Sequence, residues 1–201
     1  IGLPVVLVDN FNYNRPMHSV TADNLSGGYL ATKHLIDLGH RRIGILRGPH
    51  KYKPLTERFF GYVQALEAHG LRYAEELAPP PPVQREPAKG YNQMKQLLRL
   101  HHPPTAVFAV SDKTAFGALQ AARELGVRVP EDVAIVGYDD IPAAATHRPA
   151  LTTVAVPREE LGRLAAEKLF DLLDFPGQPP IRISVPVRVV VRESCGAGAR
   201  R

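Results

Sequence analysis

The chain has 201 residues, 44% of them hydrophobic and 22% charged, which excludes a disordered tail and suffices for one domain or two small lobes. Its 25 Lys and Arg against 20 Asp and Glu leave a net charge of +5, but the basic residues are scattered, so no run forms a nucleic-acid-binding arm. One cysteine, Cys195, excludes an internal disulfide framework and a thiolate metal site, and no stretch is long enough to cross a membrane.

The order of elements is that of an alternating α/β chain. The opening Ile1-Gly2-Leu3-Pro4 has no leader pattern and runs straight into an apolar stretch at 5–8, as if entered in the middle of a domain. Residues 5–8 suit a strand covered on both faces, ended by Asp9-Asn10. A second extended piece starts at Val20 and stops at Asp23-Asn24, either of which can cap a helix over 25–38 that buries Leu25, Tyr29, Leu35 and Ile36 and stops at Gly39. A strand at 42–46, a polar loop at 51–57 and a helix at 58–69 follow. Residues 72–86 contain four consecutive prolines, 79–82, an extended surface segment. Next come a helix over 90–100, a strand at 105–110 and a helix over 113–125 capped by Ser111-Asp112. A strand at 133–136 closes on Gly137-Tyr138-Asp139-Asp140. Residues 151–156 are extended, Pro157 precedes an amphipathic helix over 159–173, and 181–191 is extended. Pro186 places that last piece at an edge or makes it change partner midway.

Strand–helix alternation argues for parallel sheets flanked by helices. In such folds the ligand crevice lies at the carboxyl ends of the strands. Here those ends are polar: Asp9, Asp23, Ser111-Asp112 and Asp139-Asp140. Catalytic signatures are missing, since no Gly-x-Ser-x-Gly elbow or phosphate loop occurs. Adjacent His101 and His102 would point apart in any regular element, no histidine pair has metal-ligand spacing, and Cys195 reads as a free surface thiol. No enzyme, metal site or cofactor is expected.

Several phrases carry a family likeness. They are Asp23-Asn24 with Gly27-Gly28, then Leu38-Gly39-His40-Arg41-Arg42-Ile43, and Arg58 before Gly61-Tyr62. Pro104-Thr105-Ala106-Val107-Phe108 leads to Ser111-Asp112, and Gly137-Tyr138-Asp139-Asp140 leads to Pro149-Ala150-Leu151-Thr152-Thr153-Val154. In this order they resemble the effector-binding region of the lactose/galactose repressor family of bacterial transcription regulators, over nearly the whole chain. The resemblance implies a periplasmic-binding-protein-like α/β fold of two lobes, each a parallel sheet flanked by helices. The N-terminal lobe, incomplete, would hold residues 1–47 and 154–180. The C-terminal lobe would hold 48–153 and 181–194, followed by a flexible tail, 195–201. It also implies a cytoplasmic homodimer that reaches operator DNA only through a helix-turn-helix outside this chain.

By the same resemblance, Asp139 accepts hydrogen bonds from the effector, with Asp140 as the cap of the turn that follows. Arg58, at the start of its helix, forks onto the ligand, and Asp23 and Ser111 match further cleft positions. Tyr52 and Arg85 match positions where some members carry an Arg and an aromatic stacker, here exchanged in type, which weighs against a purine. A sugar or other polyol is the expected effector. The helix over 113–125 and the segment 141–145 resemble part of the family's dimer interface. The alternative is a periplasmic sugar-binding protein of a transport system, which shares the fold.

Overall fold

The computed structural model describes residues 3–11, 14–80 and 88–198. Among these residues the strands form two sheets. The smaller one has the order β1 (Val6–Val8), β2 (His18–Ala22) and β7 (Arg182–Val185), all parallel. The larger one runs β3 (Ile43–Leu46), β4 (Ala106–Ala109), β5 (Ala134–Asp139), β6 (Thr152–Ala155) and β8 (Arg188–Val190). It is parallel except for β8, which lies antiparallel to β6.

Helices cover both faces of the larger sheet, because successive side chains of a strand point to opposite faces. Ile43, Ile45, Phe108, Val136 and Val154 pack with Ala31, Leu35 and Ile36 of α1 (Asn24–Asp37) and with Tyr62, Ala65 and Leu66 of α2 (Lys53–Ala68). Val107, Ala109 and Ile135 face the other way, against Met94 and Leu97 of α3 (Ala88–Leu98) and Ala115, Ala118 and Leu119 of α4 (Asp112–Glu124). A short α5 (Pro142–Thr146) follows β5. The smaller sheet is covered by α6 (Arg158–Asp174), with Val20 and Val185 packed on Leu161 and Ala165.

The two units divide the chain differently from the expectation. Residues 24–47 belong with the larger sheet: the chain leaves the smaller unit where β2 ends, and the buried face of α1 and all of β3 pack in the larger core. Strand β6 also lies in the larger sheet, whereas β7 lies in the smaller one, so the expected limits at 47, 154 and 181 are corrected. The prolonged extended piece does change partner at Pro186, since β7 pairs with β2 and β8 with β6. Leu25, expected in the buried stripe of α1, is 42% exposed; the buried face is built from Gly27, Gly28, Ala31, Thr32, Leu35 and Ile36.

Two further expectations fail locally. Cys195 is neither on the surface nor part of a loose tail. It ends a 3-10 turn, Glu193–Cys195, with its Sγ 3.3 Å from His34 Nε2. His101 and His102 lie in an irregular bend, where neighbouring side chains are free to converge, and their Nδ1 and Nε2 atoms are 3.0 Å apart. Of the proline segment, residues 81–87 lie outside the described residues, as do residues 199–201 of the expected tail.

Candidate ligand-binding cleft

The carboxyl ends of both sheets face a common cleft, and Arg58 lies at its base. Helix α2 begins at Lys53, with Pro54 in its first turn, where a missing N–H is harmless. Arg58 therefore lies in the second turn, not at the helix start. It is 4% exposed. Nε donates to Asn24 Oδ1 at 2.8 Å, and Nη1 donates to the Val110 carbonyl at 2.7 Å and to Asp139 Oδ1 at 3.4 Å. The guanidinium carbon stacks 3.6 Å over the Tyr138 ring. Nη2 makes no hydrogen bond to a described residue. Asn24 is itself oriented by donating to the Ala22 carbonyl.

Gly28 and Gly61 bring Arg58 to this place. A Cβ on Gly28 would collide with the backbone carbonyl of Arg58, and one on Gly61 with that of Leu25. The two glycines let α1 and α2 cross in near backbone contact, which sets Arg58 beside Asn24.

Asp139 ends β5 with φ 113, and Asp140 follows with φ 51. Consecutive positive φ values at non-glycine residues are costly and persist only where the surroundings fix them. Several groups fix them here. Arg192 Nη2 donates to Asp140 Oδ1 at 2.7 Å, and Arg158 donates to the carbonyls of Asp139 and Asp140. Asp112, fully buried, accepts from the Ile141 N–H at 2.8 Å and from Thr153 Oγ1 at 2.5 Å. Asp140 therefore does not cap α5, whose N-cap is Ile141 with no side-chain cap bond. Burial, with Asp139 and Asp140 nearby, pushes the Asp112 carboxyl up to about 6 despite these hydrogen bonds.

The other expected residues take different roles. Asp23 is the N-cap of α1, its two oxygens accepting from the Ser26 N–H and hydroxyl. Ser111 caps α4; its hydroxyl, buried, accepts from the Thr114 N–H and lies 2.9 Å from Thr114 Oγ1. Tyr52 precedes α2 and is half exposed, with Lys51 Nζ 5.1 Å from its ring centroid. Arg85 lies outside the described residues.

Sequence reasoning left several cleft residues unchosen. A cavity of about 240 Å³ is lined by Asp9, Asn10, Phe11, Tyr52, Lys53 and Arg58 among others. Asp9 has φ 47, and its buried Oδ1 has no hydrogen-bond partner among the described residues. Lys53 Nζ sits 3.7 Å over the Phe11 ring, one group from each unit. The polar end of β1 was visible in the sequence; the backbone turn that aims Asp9 was not.

Two α/β units facing each other across a polar cleft define a two-lobed binding protein of the periplasmic type. The profile of the periplasmic binding protein-like domain family matches residues 32–195. Among curated relatives, the HTH-type transcriptional repressor PurR of Escherichia coli O1:K1 is 37% identical over 202 residues, covering 99% of this chain and 58% of the repressor. Among solved structures, a transcriptional regulator CelR–cellobiose complex superposes with a TM-score of 0.86 at 38% identity, over 94% of this chain and 58% of that one. A LacI family transcriptional regulator from Enterococcus faecium with bound ribose gives 0.84 at 32% identity, over 96% and 70%. The chain belongs to the periplasmic binding protein-like domain family and, within it, to the LacI family of transcriptional regulators. It spans 58% of the length of the curated relatives it matches. Among the described residues no helix is long and apolar enough to cross a membrane.

Proposed function

We propose that this region binds a sugar in the cleft and reports occupancy through the relative orientation of its two units, as the effector-binding part of a cytoplasmic DNA-binding repressor. One observation carries the reading. The carboxylate ending β5 bonds a fixed guanidinium, Arg58, and the carboxylate ending β1 shares with it a cavity whose wall includes Tyr52 and Phe11. Carboxylates only accept and guanidinium only donates, so together they satisfy both sides of a ligand hydroxyl. The ring faces suit the apolar face of a pyranose or furanose. Asp9 and Asp23 contribute from the smaller unit, and Arg58, Asp139, Ser111 and Tyr52 from the larger; Arg85 joins the ligand set by resemblance alone. The CelR relative was solved with cellobiose and the Enterococcus faecium relative with ribose, which supports the ligand class.

In the longer protein, operator contact belongs to a helix-turn-helix outside these 201 residues, and two copies pair through α4 and α5. Effector and operator then influence each other reciprocally through one conformational equilibrium. The relatives being regulators, the transport-protein alternative is not favoured, and the cleft binds without turnover. Calorimetric titration of the chain with a panel of mono- and disaccharides, cellobiose and ribose included, tests this. Saturable binding that weakens with Asp139→Asn is expected; a purine that binds while every sugar fails would overturn it.

A further inference from the structure

Among the described residues, ties between the two units include Lys53 over Phe11, Arg158 to the carbonyls of Asp139 and Asp140, and a fork between Glu57 and Arg182. The last joins side chains of opposite charge. Arg182 opens β7 of the smaller sheet; Glu57 lies on α2 of the larger unit, immediately before Arg58. Nη1 and Nη2 of Arg182 donate to Oε1 and Oε2 of Glu57, both at 2.9 Å. Its remaining Nε donates to Thr21 Oγ1 at 3.0 Å, which fixes the guanidinium plane to β2. Neither partner is fully exposed, at 34% for Arg182 and 18% for Glu57. Parallel two-point bonds of this kind hold direction as well as distance. The setting favours the charged form of Arg182: Glu57 above all, with the carboxylates of Asp23 and Asp9 adding to it.

We infer that Glu57 and Arg182 form a clamp between the two units, which biases the cleft toward its closed form. The clamp closes on α2 one residue from Arg58. A ligand drawn to Arg58 and a clamp seated on Glu57 therefore act on the same turn of helix. A solvent-accessible ion pair contributes only modestly, but this fork has its two ends on separate units, and a modest bias is enough to shift an equilibrium between open and closed forms.

The inference rests on the two-unit reorientation proposed above, yet its test needs no sugar. Nitroxide labels are placed at Gln96→Cys on α3 and Ala166→Cys on α6, both exposed, in a Cys195→Ser background, and the distance distribution is read by pulsed electron resonance. Glu57→Gln and Arg182→Gln are each expected to lower the closed-to-open ratio about fivefold. The double variant should shift no further than either single one, because both remove the same bond. Raising KCl to about 1 M should open the unsubstituted clamp in the same direction, since the screening length falls to about 3 Å. Distributions that do not move in folded single variants and in salt, or shifts that add in the double variant, would overturn the clamp. Failure of every sugar to bind, with the distances behaving as expected, would sink the ligand proposal and leave the clamp standing.

Discussion

A guanidinium with only 4% exposure needs acceptors, and Arg58 finds them on three separate elements. It holds the ends of β4 and β5 to the start of α1, so its removal costs the fold as well as the cleft. Arg58→Ala strands the buried Asn24 Oδ1 and the Val110 carbonyl without donors. Each orphaned acceptor costs about 1–3 kcal/mol, so urea denaturation should show a loss of roughly 2–6 kcal/mol. Arg58→Lys should recover only part of it, because an ammonium cannot fork across acceptors fixed to a plane. A loss below about 1 kcal/mol in both variants would mean that water replaces the guanidinium without penalty.

Asp112 gives the residue scale a pH dependence. Its carboxyl titrates near about 6 in the folded chain against an ordinary value of 3.8. Between those values the folded protein holds a proton that the unfolded chain has released. This group's contribution to stability is therefore greatest below about pH 4 and declines as pH rises through about 6, by on the order of 3 kcal/mol in total. Asp112→Asn removes the titration. The variant's unfolding free energy, compared with the parent's between pH 4 and 7, is expected to lack that decline. Parallel pH profiles in the two proteins would assign the slope to other groups.

At the scale of elements, the crossing of α1 and α2 determines the cleft. Gly61→Ala adds a Cβ that meets the Leu25 carbonyl and lies 2.6 Å from the Tyr29 nitrogen, both backbone atoms that cannot swing aside. The gain in helix propensity is about 1 kcal/mol, while forcing two packed helices apart costs about 1–3 kcal/mol. A net loss of up to about 2 kcal/mol is expected, measured as a lowered denaturation midpoint. Much of the element order behind this crossing was legible in the sequence. Gly39, at φ 91, ends α1 where its pattern breaks, and Pro186 marks the change of sheet. The start of α2 was not, because the polar stretch 51–57 has no apolar period, and Pro54 reads equally as a loop residue or as a first-turn residue. The polar strand ends announced the cleft, since short-range sequence shows where a strand stops. The Glu57–Arg182 fork could not be foreseen, as its partners are 125 residues apart and meet only because β7 returns to the smaller sheet.

On the scale of the whole molecule, the larger unit carries a second groove. It holds about 540 Å³; Phe116, Leu119, Val127 and Val129 form its apolar part, and Arg123, Arg128, Glu131 and Arg148 also line it. Phe116 of α4 and His147 just after α5 stack at 5.1 Å with planes 14° apart, and Leu125 at the end of α4 is 44% exposed. This is the surface that we propose pairs two copies. A two-fold axis through α4 would set each Phe116–His147 stack against its symmetry mate, so that one patch serves both sides. A stable interface buries about 1,600 Å² in total, and its energy concentrates in a few central aromatic contacts. One charge at the centre should then be decisive. Phe116→Asp places a carboxylate from each copy at the axis, where it must be desolvated beside its like. In sedimentation equilibrium the parent chain is expected to be dimeric at micromolar concentration, and Phe116→Asp to weaken association at least about a hundredfold, roughly 3 kcal/mol, leaving a folded monomer. Asp23, Arg58 and Asp139 do not line this groove, so sugar binding by that monomer should persist. A parent chain that sediments as a monomer, or a Phe116→Asp dimer of undiminished affinity, would place the pairing surface elsewhere.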